Sequence, residues 1–300
     1  MHKEFLMGNA AIALGAVAAG VNVVAGYPGT PSTEVLETIA KHRPDDVYVE
    51  WSVNEKAAME LASGASYAGA RSMVTMKQVG LNVASDPLMS LEYVGIKGGM
   101  VILVADDPGP ISSQTEQDTR HFSRFSKLPC FDPSSAQEAY EMIQEAFEYS
   151  EKYGTPVFLR PTTCVCHGYA SIMVKDETEY THHQPEGFIK DSKRWVIFPR
   201  LSFMNHKKIE ARIQELSDIF SSYEKNTIHP SCDAFKDSKK GIATGGISYT
   251  YTMETLKKTG MVKTLKIATP HPFPEKLAVD FLSGLDEVLC LEELDPVIER

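Results

Sequence analysis

Residues 26–34, Gly26-Tyr27-Pro28-Gly29-Thr30-Pro31-Ser32-Thr33-Glu34, decide how this chain is read. They follow a β-branched run, Val21-Asn22-Val23-Val24, and lead into the amphipathic stretch Val35–His42. Strand, tight turn and helix start in that order is how an α/β sheet presents backbone amides to a ligand at its carboxyl edge. Thr30 reads as the N-cap and Pro31 as the first helical residue, where a missing N–H costs nothing. A hydroxyl here sits beside the positive end of a helix, suited to a carboxylate or phosphate. On residue types alone an ordinary strand-to-helix turn also fits.

Outward from this turn, the first 165 residues alternate strand and helix. Strands are expected at Val21–Ala25, Val47–Trp51, Ser72–Met76, Met100–Ala105 and Pro156–Arg160, and helices at Glu55–Ala70, Leu81–Gly95 and Ser134–Tyr153. The last opens with Ser134-x-x-Gln137, read as a capping box. Such alternation predicts an α/β fold with a doubly wound parallel sheet. Residues 106–133 break the rhythm with Asp106-Asp107-Pro108-Gly109-Pro110 and a polar run, a long loop of the kind that carries function.

From about 176 the character changes. Residues 176–192 are polar, and Asn205–Lys225 reads as one exposed helix with Ile209, Ile213, Leu216 and Phe220 at helical spacing. A second, smaller α/β unit follows, with strands at 241–244, 264–268 and 287–291 and helices at 248–259 and 274–282. The domains expected are 1–175, a linker with its helix at 176–235, and a truncated unit at 236–300. Asp295-Pro296 reads as a helix start with almost no helix after it, as in a piece cut in mid-domain.

Composition narrows the function classes. With 43% hydrophobic and 23% charged residues the chain reads as globular, and a net charge of −10 argues against nucleic acid as partner. No apolar run reaches the roughly 18 residues of a membrane span, so a cytoplasmic protein is expected. Five scattered cysteines without Cys-x-x-Cys suggest reduced thiols. Cys164-Val165-Cys166 on a strand would put both thiols on one face, without the second pair that a zinc or iron–sulfur site needs.

Glu55 stands at the start of a helix rich in Ala, Gly and Ser, where a carboxylate is favoured by the helix dipole by about 0.3–1 kcal/mol. A stabilising surface charge would look the same. The combination is more telling: Gly26-Tyr-Pro-Gly-Thr-Pro-Ser32, then the Glu55-x-x-Ala-x-x-x-Ala-x-Gly-Ala65 helix, then Thr75-Met-Lys-Gln-Val-Gly-Leu-Asn82, with Asp106-Asp-Pro-Gly-Pro-x-Ser-Ser-Gln114 after them. This order resembles the pyrimidine-binding domain of the 2-oxoacid:ferredoxin oxidoreductases, and most closely the α subunit of the indolepyruvate type. The resemblance runs over about 4–168 and resumes weakly over 241–300, where it is similar to the start of a transketolase-C-like domain.

The resemblance implies thiamine diphosphate as cofactor. Glu55 matches the family's glutamate, which bonds N1′ of the aminopyrimidine and favours the tautomer that takes the thiazolium proton. Gln78 and Asn82 match a cavity loop and are expected to touch the cofactor. Gly29, Thr30, Pro31 and Ser32 match the segment lining the substrate cavity. Pyruvate-using relatives carry an arginine after the fourth strand, whereas this chain has Asp106-Asp107-Pro108, which favours an aryl 2-oxoacid such as indolepyruvate. The implied reaction is oxidative decarboxylation to an acyl-CoA with electrons passed to ferredoxin, in a dimer of heterodimers with a smaller β subunit.

No Gly-Asp-Gly with a following Asn, the signature that holds diphosphate through Mg2+, occurs here, and no Cys-x-x-Cys-x-x-Cys run holds a 4Fe-4S cluster. Both are expected in the other half of the full-length enzyme, so this chain alone is expected to be inactive. Two other readings fit the same residues: the pyrimidine subunit of a two-chain non-oxidative 2-oxoacid decarboxylase, and a non-catalytic scaffold of this fold.

Overall fold

In the computed structural model, which describes residues 1–300, the chain opens with β1 (His2–Met7) and α1 (Gly8–Ala18). It continues through β2 (Val23–Gly26), α2 (Thr33–His42), β3 (Tyr48–Trp51), α3 (Glu55–Tyr67), β4 (Ser72–Lys77), α4 (Gln78–Val94) and β5 (Met100–Ala105). Then come α5 (Thr119–Ser126), β6 (Cys130–Phe131), α6 (Ala136–Tyr153), β7 (Val157–Leu159), α7 (Thr163–His167) and β8 (Tyr169–Val174). The remainder comprises α8 (Ser192–Trp195), α9 (Pro199–Phe220), β9 (Thr227–His229), β10 (Lys240–Gly245), α10 (Gly246–Thr259), β11 (Lys263–Ile267), α11 (Glu275–Leu282) and β12 (Glu287–Leu291). No helix is long and apolar enough to cross a membrane.

Six strands form one parallel sheet in the order β3-β2-β4-β5-β7-β6. Its central strand β5 is buried on both faces, and its side chains alternate between two cores. Val101 and Leu103 join α1, α2 and α6 on one face, while Met100, Ile102 and Val104 join α3 and α4 on the other. The expected doubly wound sheet is therefore present. Because all six strands are parallel, every strand exit lies on one edge. The chain leaves β2 toward β3 and leaves β4 toward β5, so the crevice between β2 and β4 is a topological switch point.

The sequence reading missed β1 and β8, which pair antiparallel as a separate ribbon from His2↔Val174 to Met7↔Tyr169. It also missed α5 and β6 inside the 106–133 loop. The α6 cap differs by one residue: Ser135 is the N-cap and accepts from Glu138 N, while the Glu138 carboxylate accepts from Ser134 N and Oγ. Residues 295–296 start no helix. The Glu292 carboxylate instead collects the N–H groups of Val297, Ile298 and Glu299 into a closed turn.

The four-stranded sheet β12-β10-β11-β9 has β9 antiparallel to the other three. Helix α9 starts six residues before the expected Asn205. Its Leu216 and Phe220 enter the main core, where Phe220 meets Phe131 at 5.8 Å between ring centroids. The two sheets also meet through polar groups. Arg160, at the exit of β7, donates to Asp106 beyond β5 (2.7 Å) and Asp132 beyond β6 (3.3 Å). Arg120 in α5 donates to Asp118 and then reaches across to Glu292 (2.9 Å) and the carbonyls of Glu293 and Asp295. Both guanidinium groups are almost fully buried.

Removing one partner of such a group leaves an uncompensated buried charge. Arg160→Leu should therefore destabilise the fold by about 3–5 kcal/mol, read as a fall in urea midpoint at unchanged slope. A pH effect is expected at the same junction. Burial, then the cations Arg124 and Lys127, push the His271 imidazole down to about 4. Its folded pKa lies below the unfolded 6.5, so its contribution to stability is full above about pH 6.5 and is lost as the pH falls toward 4. His271→Phe should reduce the loss of urea midpoint between pH 7.5 and pH 4.5.

Candidate functional site

At the carboxyl edge, the β2 exit folds into a turn on itself. Ser32 N and Oγ both donate to Gly29 O at 2.9 Å, and Gly29 N donates to Thr33 Oγ1 at 2.9 Å. This turn occupies 29–32, so α2 begins at Thr33 with Ser32 before it. Thr30 and Pro31 are not the cap and first helical residue that the sequence suggested. Of the four expected substrate residues, Pro31 and Ser32 are buried and the Gly29 and Ser32 amides are consumed internally. Thr30 is exposed, and its N–H and hydroxyl have no partner. Asn9 of α1, fully buried, pins the turn from below by donating to Pro31 O at 2.6 Å.

Glu55 is the first residue of α3, capped by Asn54, whose Oδ1 accepts from Ala57 N at 2.8 Å. Its half-buried side chain lies across Gly80 of α4: a Cβ at Gly80 would stand 2.7 Å from Glu55 Cγ and nearer still to Oε1. Gly80 thus makes the room in which the Glu55 carboxylate sits. Gln78 and Asn82 are not in a loop. Strand β4 passes directly into α4, and both residues lie in its first turns. Gln78 is buried, donates to Thr115 O at 3.2 Å and keeps an unpartnered Oε1. Asn82 is exposed and donates to Gln117 Oε1 at 3.2 Å. Thr30 and Glu55 make no hydrogen bond with each other.

The loop 106–118 covers this edge, and Asp107 builds it. Asp107 Oδ2 accepts from the backbone N–H groups of Ile111 (3.0 Å), Ser112 (2.9 Å) and Ser113 (3.1 Å), and Oδ1 from Thr163. Burial works to raise its pKa, but the bonds from Ser112, Thr163, Ser113 and Ile111 outweigh it and hold the carboxyl below its usual value. Both aspartates of the Asp-Asp-Pro segment are therefore occupied structurally. The loop returns to the turn through Ser112 Oγ, 3.4 Å from Thr30 O. It also meets Lys77, whose Nζ donates to Gln114 Oε1 at 3.2 Å. Sequence reasoning passed over Asn9, Lys77 and Gly80, whose roles depend on which elements the topology brings together.

Cys164 and Cys166 do not share a face. They lie in the short helix α7, Cys164 exposed and Cys166 buried. A metal-like grouping, Asp118, His121 and Asp295, exists at the sheet junction. Asp118 there is already committed to Arg120. A cleft of about 800 Å³ lies at the far end of α4, between Tyr93–Ile96 and α9, away from the strand exits.

A family model described as pyruvate flavodoxin/ferredoxin oxidoreductase, thiamine diphosphate-binding, matches residues 14–226. The chain belongs to this family. Among curated proteins it is similar to the indolepyruvate oxidoreductase subunit IorA of Pyrococcus abyssi, 43% identical over 100% of this chain and 46% of that protein. The same-named subunit of Methanothermobacter thermautotrophicus is 43% identical over 99% of this chain and 48% of its own length. The chain thus spans about half the length of these relatives. Among solved structures, a 2-oxoglutarate:ferredoxin oxidoreductase from Magnetococcus marinus superposes with a TM-score of 0.78 at 18% identity. That match covers 98% of this chain and 58% of the other, and supports the fold.

Thiamine diphosphate is the cofactor of this family, and the carboxyl edge offers groups that fit its aminopyrimidine. The ring needs a carboxylate facing N1′ and an acceptor for its amino group. The Glu55 carboxylate over Gly80 and the unpartnered Gln78 Oε1 are such groups. The surrounding rim is apolar and open: Tyr27, Val53, Val83 and Ile111 are 40–84% exposed. Gly80→Ala tests the arrangement. Alanine favours the helix by up to about 1 kcal/mol, yet its methyl would displace the Glu55 carboxylate. A thiamine diphosphate enzyme that uses this edge should lose about 100-fold in turnover on this substitution, without loss of thermal stability.

Proposed function

We propose that this chain is the N-terminal, pyrimidine-binding portion of an indolepyruvate-type aryl 2-oxoacid:ferredoxin oxidoreductase. One aryl 2-oxoacid, coenzyme A and two oxidised ferredoxins yield an acyl-CoA, carbon dioxide, two reduced ferredoxins and a proton. The observation that carries this reading is the Glu55 carboxylate seated over side-chainless Gly80 of α4, a helix that also opens with the unpartnered acceptor of Gln78, at the switch point of the parallel sheet. The substrate class rests on the names of the relatives and on the apolar rim of Tyr27 and Ile111 beside Thr30.

Glu55 would face N1′ of the pyrimidine, and Gln78 its amino group. Asn82, exposed on the next turn, would sit at the mouth with Gln117. Thr30 would meet the substrate with its free hydroxyl and N–H, while Gly29, Pro31 and Ser32 hold that residue in place through the turn. When bound, thiamine diphosphate supplies the nucleophilic carbon and the electron sink for loss of carbon dioxide. This chain's part is to orient the ring and to hold a proton at Glu55.

The remaining half of the full-length enzyme would hold diphosphate through Mg2+ and carry the 4Fe-4S clusters. A β subunit would complete a dimer of heterodimers, with ferredoxin as acceptor. The setting in this reading is cytoplasmic, consistent with five unpaired cysteines. The domain division proposed is 1–175, a connecting segment with its helix at 176–235, and a transketolase-C-like unit from 236.

Glu55→Gln in the full-length enzyme, assembled with its partner, should lower turnover of an aryl 2-oxoacid by about 100-fold or more. Its circular dichroism and melting temperature should match wild type. Turnover within a few-fold of wild type would overturn the assignment.

A further inference from the structure

Lys77 is the last residue of β4 and stands at the N-cap of the 17-residue helix α4. A cation there opposes the helix dipole, which favours negative charge at this end. The usual remedy, a paired carboxylate, is missing: no acidic oxygen lies within 4.0 Å of Lys77 Nζ, which donates to the neutral Gln114 Oε1. Of the carboxylates nearby, Glu55, seated over Gly80, makes no ion pair with Lys77 within 4.0 Å, and the others are committed elsewhere. Asp106 serves Arg160 and Thr119, Asp107 serves three amides and Thr163, Glu116 accepts from Gly109 N, and Glu34 accepts from Asn9.

Nor is Lys77 a side chain loose in solvent. It is half-buried, and its stem runs under the β2 exit: a Cβ on Gly29 would stand 3.0 Å from Lys77 Cγ and 3.1 Å from Cδ. Gly29 therefore lets the stem pass, and Gln114 steadies the tip. The stem is held under Gly29 and the ammonium at Gln114 of the covering loop, the same loop whose Ser112 Oγ meets Thr30 O. A steadied cation without a counter-ion at a helix start, under the same loop that touches the turn of Thr30, is built to receive an anion.

We infer that Lys77 binds the carboxylate of the 2-oxoacid substrate, doing with an ammonium what neither Asp106 nor Asp107 can do at the next strand exit. This rests on the functional reading above. Thr30 adds a hydroxyl and an N–H to the same carboxylate, and the apolar rim of Tyr27 and Ile111 takes the aryl group. Lys77 is thus a specificity residue: it favours acids over their neutral analogues and has no part in the proton chemistry at Glu55.

The test uses the full-length enzyme assembled with its partner subunit, as wild type, Lys77→Met and Lys77→Arg. An unreactive pair, an arylpropionate and the matching arylpropionamide, is titrated by calorimetry, and steady-state constants are measured for the aryl 2-oxoacid, coenzyme A and thiamine diphosphate. Wild type should bind the acid at least about tenfold more tightly than the amide. Lys77→Met should bind the two alike and raise KM for the 2-oxoacid by about 10- to 100-fold, with kcat within a few-fold and a native circular dichroism spectrum. Lys77→Arg should keep most of the acid preference. An acid preference retained in Lys77→Met overturns the inference. So does a loss that falls on coenzyme A or thiamine diphosphate instead, since the anion would then be a phosphate. Absence of aryl 2-oxoacid turnover in wild type would sink the functional reading by itself, while the acid/amide comparison still reports on Lys77.

Discussion

The buried Arg160 guanidinium is the constraint on which the arrangement of this protein depends. It sits where three parallel strands end, and it gathers Asp106 and Asp132 from the exits of β5 and β6 around the exit of β7. An ion pair of this kind adds little net stability, because desolvation offsets the attraction. It does dictate geometry, since each carboxylate must point inward or leave a buried charge unpaired. Arg120 extends the cluster through Asp118 to Glu292, so the same charges set the second sheet against the first. Asp132 also receives the start of α10, where a Cβ on Gly246 would come within 3.2 Å of its carboxylate. One half of the carboxyl edge is thereby filled with protein.

The other half, between β3 and β4, is left open. There the exits carry Tyr27, Val53 and the first turns of α3 and α4, with exposed apolar side chains and polar groups that lack partners. At one end of the edge six charged groups are ion-paired with one another, although Arg160 Nη2 lacks a hydrogen bond. At the other end Gln78 Oε1 is unpaired and no ion pair fills the space. The 106–118 loop is the boundary: Asp106 at its root belongs to the cluster, Asp107 folds it, and Gln114, Thr115 and Gln117 touch the open side.

Much of this was legible in the sequence, because local signals and global fold agree there. The β-branched runs at 21–25, 72–76 and 100–105 and the turn at 26–32 lead to the observed sheet, and Glu55 opens α3 as its position implied. What was not legible depends on partners distant in the chain. The ribbon of β1 and β8 joins residues more than 160 apart, and neither strand has a pattern that stands out alone. The helix start at Thr33, in place of Thr30-Pro31, follows from a turn in which Gly29 O takes both Ser32 donors. Residues 295–296 carry a good helix-start signal, but the Glu292 carboxylate takes up the amides that a helix would have used. Cys164 and Cys166 fall on a helical turn because Thr163 is fixed to Asp107 just before them.

The two residues of opposite charge at the open edge show how function can be separated from stability here. Glu55 and Lys77 occupy equivalent places, each at the start of a helix that begins where a strand has just ended. At that place a carboxylate is stabilised by the helix and an ammonium is destabilised by it, each by about 0.3–1 kcal/mol. Glu55 therefore needs no ligand to account for its position, and its presence alone says little. Its siting over Gly80 says more, since a Cβ at that one position of the facing helix would displace the carboxylate. Lys77 is the reverse case: the fold gains nothing from a positive charge there, provides no acid to balance it, and still shapes Gly29 around its stem. A charge held against the local field, in a crevice at a topological switch point, is one that an anionic ligand would balance.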